Sequence, residues 1–250
     1  MMRLHALVGA LALLLMAACS VPQKEEFTVN NNAGANGDST IYALVCEGSN
    51  DSVLVFLPDP YDGSDPDTLD ILDAMRRRQV FGRLAIGDRV AMVRDTADSK
   101  AAAVVIVTQD LLGQWCYKVK PQWRKHLGEM TVGNGDSARM VTREMPDSVR
   151  QLLFAEREYG FTLKADSVAL PVGMRMRNTE EDSPVEYPPL KRYRQWYLHN
   201  GKLMLVVNSI DTLGHATTLS TDTAELVMLT PDTLVLRMSD GLHGYYRKTE

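Results

Sequence analysis

The chain has 250 residues, 45% hydrophobic and 24% charged, with 27 basic and 32 acidic side chains for a formal net charge of −5. Such a composition excludes wholesale disorder and suits one large domain or two modest ones. Residues 40–105 are acidic and residues 106–250 are balanced. Neither half offers a run of basic residues for phosphates, so nucleic acid is not an expected partner.

Arg3 supplies a positive start, Ala6 to Met16 an apolar run, and small Ala17 and Ala18 precede Cys19, the order of a secretory signal. The run is shorter than the roughly 20 residues a bilayer span needs. Leu15-Met16-Ala17-Ala18-Cys19 resembles a lipobox, where cleavage leaves a diacylated cysteine as the first mature residue. Residues 1–18 are therefore expected to be a signal peptide and Cys19 the lipid attachment site. The membrane is then a partner through the N-terminal lipid, since each buried acyl CH₂ contributes about 0.8 kcal/mol and several chains anchor stably. The implied address is the outer membrane, on its periplasmic face or at the cell surface.

Residues 19–38 are polar and Gly/Asn-rich and read as a flexible tether. Gln23-Lys24-Glu25-Glu26 within it resembles the lysine-plus-acidic export signal of surface lipoproteins in Bacteroidetes, and reads equally as a solvated linker. Cys46 and Cys116 remain as an even pair in an oxidising compartment. A disulfide and two buried free thiols are both open readings.

The first folded segment, 39–108, begins with β-rich runs at Ile41 to Cys46 and Val53 to Leu57, separated by a Gly-Ser-Asn-Asp turn. Asp65 as a cap, Pro66 in the first turn and Arg76-Arg77-Arg78 at the far end predict a helix over 66–78, with Leu69, Leu72 and Met75 on its buried face. Strands at Arg89 to Arg94 and Ala102 to Thr108 complete a small β-module with one helix, loosely OB-like in element order.

The second segment, 109–250, carries many short strands with regular turn signals, the pattern of a sandwich or barrel. Strands are expected at Trp115 to Lys120, twice between Tyr159 and Val172, at Thr223 to Leu229, at Thr233 to Met238 and at Gly244 to Lys248. Pro146 to Arg157 reads as a short helix, and the acidic, Pro-rich stretch from Asn178 to Pro189 as a long loop. The clearest hairpin joins Tyr193 to His199 with Lys202 to Asn208 through Asn200-Gly201, because a type I′ turn needs positive φ at both central residues.

Gly113-Gln114-Trp115 on the first of these strands resembles the lipocalin signature, in which the tryptophan plugs the closed end of the barrel. Gly160-Phe161-Thr162-Leu163, Asp166-Ser167-Val168-Ala169, Tyr193-Arg194-Gln195-Trp196 and Tyr245-Tyr246-Arg247 extend the likeness. Together they resemble the lipocalin-like lipoprotein domains of Bacteroidetes over about Leu112 to Lys248. Ser167 departs from that pattern, which prefers glycine there. The resemblance implies a closed antiparallel barrel of about eight strands, filled by side chains or holding one small apolar ligand, with Gly113, Trp115 and Trp196 as its signature residues.

No Gly-x-Ser-x-Gly elbow, phosphate loop, His-Glu-x-x-His or Cys-x-x-Cys occurs in the sequence. His126, His199, His215 and His243 are dispersed without metal-ligand spacing. Asp59-x-x-Asp62-Gly63-x-Asp65 gathers oxygens, but its spacing is wrong for an EF-hand. Neither a catalytic set, a metal nor a cofactor is expected. The chain reads as a non-enzymatic envelope lipoprotein whose barrel binds a small apolar or amphipathic molecule. The alternative is a filled barrel acting as a scaffold for envelope proteins. An apolar pocket of about 300 Å³ or more separates the two.

Overall fold

Two β-sheets carry the chain in a computed structural model that describes residues 37–123, 146–173, 185–210 and 216–249. Cys19, Gln23 to Glu26 and most of the acidic Pro-rich loop lie outside these residues. In the first sheet, β1 (Ile41–Val45), β2 (Val53–Pro58) and β3 (Asp67–Asp70) form an antiparallel meander, followed by α1 (Leu72–Arg76) and β4 (Val80–Phe81). β5 (Arg89–Arg94) returns to pair with β1, and β6 (Ala102–Val107) pairs with β5 and lies parallel to β4. A parallel bridge from Asp70 to Ala101 nearly joins the two ends. Two strands, a helix and two returning strands follow the order expected, and β3 and β4 on either side of the helix are additions to it.

The helix itself is shorter than the sequence suggested. Asp65 and Pro66 do not cap it: residues 67–70 are extended and pair with β2, Leu54 opposite Leu69. Leu69 and Ile71 alternate into the core with Ala74, whereas Leu72 and Met75 are each 38% exposed. The apolar spacing fitted both periods, and the strand won because β2 offers a partner for its backbone. Asp70 accepts the Leu72 N–H at 2.8 Å, and the helix begins at Leu72, six residues later than expected.

α2 (Thr108–Leu111) links this sheet to the second, which contains β7 (Gly113–Val119), β9 (Arg157–Leu163), β10 (Ala169–Val172), β12 (Gln195–His199), β13 (Lys202–Ile210), β14 (Ala216–Leu229), β15 (Thr233–Met238) and β16 (Gly241–Lys248). Neighbours in sequence are neighbours in space, and β16 returns to pair with β7, Tyr246 opposite Cys116. Between β10 and β12 the wall is joined by one bridge, with Ala169 N–H to the Arg194 carbonyl and Trp196 N–H to the Ser167 carbonyl, both 2.9 Å. The result is a nearly closed eight-stranded antiparallel barrel. A short helix, α3 (Asp147–Leu153), and a two-strand ribbon of β8 (Gln122–Trp123) with β11 (Val185–Glu186) lie beyond the end of β7.

β5 and β6 explain how the two sheets meet. Their sequences are almost continuously apolar because both faces are covered. Val90, Met92, Val105 and Val107 face the core of their own sheet, while Ala91 and Ile106 join Phe81 in the cluster of the barrel. That cluster takes buried side chains from all eight barrel strands, including Trp115, Phe161, Trp196, Leu203 and Leu236. The OB-like unit thus sits against one end of the barrel as a stopper.

Candidate functional site

The stoppered end, or base, is built around Trp115. Its side chain is fully buried, and its indole N–H donates to the Leu111 carbonyl at 2.8 Å. Arg247 of β16 lies over the ring, guanidinium carbon 4.1 Å from the centroid, and donates to the carbonyls of Asp110, Leu112 and Pro231. Gly113 has φ +118, and a Cβ there would stand 2.5 Å from an Arg247 nitrogen, so the glycine of the Gly-x-Trp pattern makes room for this cation. Trp196, 3% exposed, donates to the Lys164 carbonyl at 2.8 Å. Arg247 is the residue that sequence reasoning missed, since an arginine near the chain end reads as solvated. Its only signal was the Tyr-Tyr-Arg stretch.

The hairpin at the base also holds the start of the described chain. Asn200 and Gly201 have φ of +50 and +74, the type I′ turn predicted for them. The Asn200 amide nitrogen donates to the Gly37 carbonyl at 2.9 Å, and its backbone N–H to Asp38 and Thr40. Burial works against the Asp38 charge, but hydrogen bonds from Thr40 and Asn200 outweigh it and hold its carboxyl below the usual range. Tyr42 donates to the Leu198 carbonyl at 3.4 Å, and burial pushes its phenol up to about 12.

At the opposite end, the mouth, aromatic rings replace leucines. Tyr117 meets Tyr245 edge-on at 5.5 Å, and Phe161 lies 5.1 Å from Tyr245 and 5.9 Å from Tyr193. With Leu190 and Met238 these rings line an open cavity of about 150 Å³. Its rim is polar. Tyr193 donates to Asp222 at 2.6 Å, Lys191 reaches the same oxygen at 2.7 Å, and His243 contacts Asp240 at 2.8 Å. Burial and the neighbouring carboxylate drive the Tyr193 pKa well upward, so its proton stays on the phenol. For Asp222, burial opposes the charge, yet the bonds from Lys191 and Tyr193 leave its pKa lowered.

The rim groups thus satisfy one another's hydrogen bonds, Asp222 accepting from both Tyr193 and Lys191. Among the described residues no three His, Cys, Asp or Glu side chains converge as a metal-ligating group. His199 pairs with Asp38 at the base and His243 with Asp240 at the mouth, far apart in the barrel, while His126 and His215 lie outside the described residues. Asp59 pairs with Arg89, and Asp62 accepts the Ser64 N–H, so that acidic loop satisfies itself.

Gly113 and Trp115 both lie against Arg247, and Trp196 is buried in the same cluster as Trp115. Cys46 and Cys116 do not form a disulfide: both are free thiols, Cys46 following β1 in one sheet and Cys116 buried in β7 of the other. Ser167, where glycine was the expected residue, has φ +62. The turn is made in the left-handed form with serine in glycine's place. Comparisons with protein-family models, curated proteins and solved structures gave no match.

Proposed function

We propose that this chain is a lipid-anchored envelope protein, held by Cys19, whose barrel is a filled, non-enzymatic scaffold. The observation that carries the reading is the barrel interior. Side chains from every strand form one buried cluster, and the cavity at the mouth, about 150 Å³, is half the lower bound of ordinary ligand pockets. The signal-like start and the lipobox-like residues before Cys19 support the anchor. Lipocalin-like lipoproteins of Bacteroidetes are the family this reading places it in, on the Gly-x-Trp strand and the later stretches.

A second reading, a barrel that takes a small amphipathic ligand, is favoured by the same cavity. The cavity is open at the mouth, its rings offer an apolar wall, and Lys191, Asp222 and Tyr193 could orient a polar group at its edge. Native mass spectrometry of the protein from its own cells separates the two. The scaffold reading expects only the acyl increment at Cys19, and a co-purifying small molecule displaced by Tyr245→Ala would establish the ligand reading instead. A chain without the acyl increment would remove the anchor from both.

A further inference from the structure

We propose that a cationic cleft beside the barrel base docks onto the anionic headgroups of the membrane that carries the protein, an inference that rests on the lipid-anchor reading. The cleft, about 410 Å³, opens where the OB-like unit meets the barrel. Arg77 and Arg78 enter it from the end of α1, Lys202 from β13 and Arg237 from β15, over a floor that includes Phe81 and Val104. Lys202 and Arg237 share one acid, Glu225, at 2.8 and 3.9 Å, and Arg77 reaches Asp95 at 3.6 Å. Arg78 has no ion pair or side-chain hydrogen bond among the described residues. A chain of net charge −5 therefore gathers a local positive excess in this cleft.

Arg78 makes the cleft more than an accident of surface charge. It occupies the position after the helix with φ +57, where glycine is the usual residue, and a long cation is kept there against the steric preference. Beside the cations, Val227 lies 39% exposed, offering apolar surface at the depth where headgroups meet acyl chains.

Placement selects the membrane over other anions. Asn200, which lines the cleft, also binds the Gly37 carbonyl, so the tether reaches the folded protein at the edge of this site. If residues 19–37 form the flexible tether that their Gly/Asn-rich sequence predicts, their root-mean-square span is about 25 Å. An anchor at Cys19 would thus hold the cleft within reach of the headgroups, whose surface potential falls off over a Debye length near 10 Å.

The test uses the mature chain from residue 19 with Cys19→Ser, so that no acyl group contributes. Co-sedimentation is measured with phosphatidylcholine vesicles and with vesicles containing 30% phosphatidylglycerol. The wild type is expected to partition onto the anionic vesicles at low salt and to leave them at 0.5 M salt. Arg78→Gln/Lys202→Gln/Arg237→Gln is expected to lose partitioning on the order of a hundredfold, roughly fivefold for each cation, while Lys191→Gln at the mouth binds as the wild type. Unchanged melting of the triple variant confirms its fold. Equal binding by triple variant and wild type would overturn the proposal, as would displacement by inorganic phosphate at constant ionic strength, which would mark a free-anion site. Because acylation is absent, failure here leaves the Cys19 reading standing, and that reading is judged separately by the native mass.

Discussion

The two ends of the barrel solve the same problem differently. At the base, Trp115 and Trp196 spend their N–H groups on backbone carbonyls, Arg247 covers the indole, and Phe81, Ala91 and Ile106 arrive from the other sheet to close what remains. At the mouth, Tyr117, Tyr193 and Tyr245 leave a cavity, and charged pairs hold the rim. One end is locked by packing and the other by electrostatics. Both ends carry carboxylates held below the usual range, Asp38 at the base and Asp222 at the mouth, but only at the mouth does the acid bond directly to a ring of the barrel interior.

The sharpest break in this contrast is Trp115→Ala. Removal of a fully buried indole is expected to cost about 3–5 kcal/mol in lost burial and cavity formation, read from denaturant unfolding of the protein. Because the base draws apolar residues from both sheets, the loss should shift one common transition. Two separated transitions would show that the OB-like unit unfolds by itself, and a near-neutral result would remove the base as the locked end.

At the mouth, Tyr193→Phe keeps the ring and deletes one hydrogen bond to a carboxylate. The expected loss is about 1–2 kcal/mol near neutral pH. Asp222 has a folded pKa below its unfolded value, so its contribution is complete above the ordinary carboxylate pKa near 4 and is lost as pH falls through the lowered folded value. The stability gap between wild type and Tyr193→Phe should therefore narrow on acidification below pH 4. A gap that stays constant down to pH 2 would mean the bond to Asp222 contributes nothing.

The smallest effect concerns Ser167. With φ +62 the serine carries the steric cost that glycine avoids. Ser167→Gly is expected to raise stability by less than about 1 kcal/mol, measured as a small increase in thermal midpoint. A clear destabilisation would show that the buried hydroxyl outweighs the strain.

What could be read from the sequence was local. Asn200-Gly201 carried its own turn chemistry, and the alternation along Thr233 to Met238 marked a half-buried strand without any partner being known. Trp115 was legible because its glycine neighbour is needed at the same place. Residues 66–78 were misread because Leu69 and Ile71 could serve a strand or a helix, and only the backbone of β2 decided. The tyrosine mouth joins β7, β9, β16 and the segment before β12, and the cationic cleft joins α1, β13 and β15. No window of sequence holds either set. An acidic first half and a balanced second half concealed a patch that forms only when Arg78 and Lys202 face the same space.

The pairing of β16 with β7 has a kinetic consequence. Tyr246 and Cys116 are neighbours across the barrel wall and about half the chain apart in sequence. Contacts of such long range demand loop closure before they return any stabilisation, and they place a domain among the slow folders. Arg247 cannot cover Trp115 until this last strand has arrived, so a chain that still lacks β16 has an open seam beside β7 and an uncovered tryptophan. The native barrel therefore forms only once the whole chain has been made.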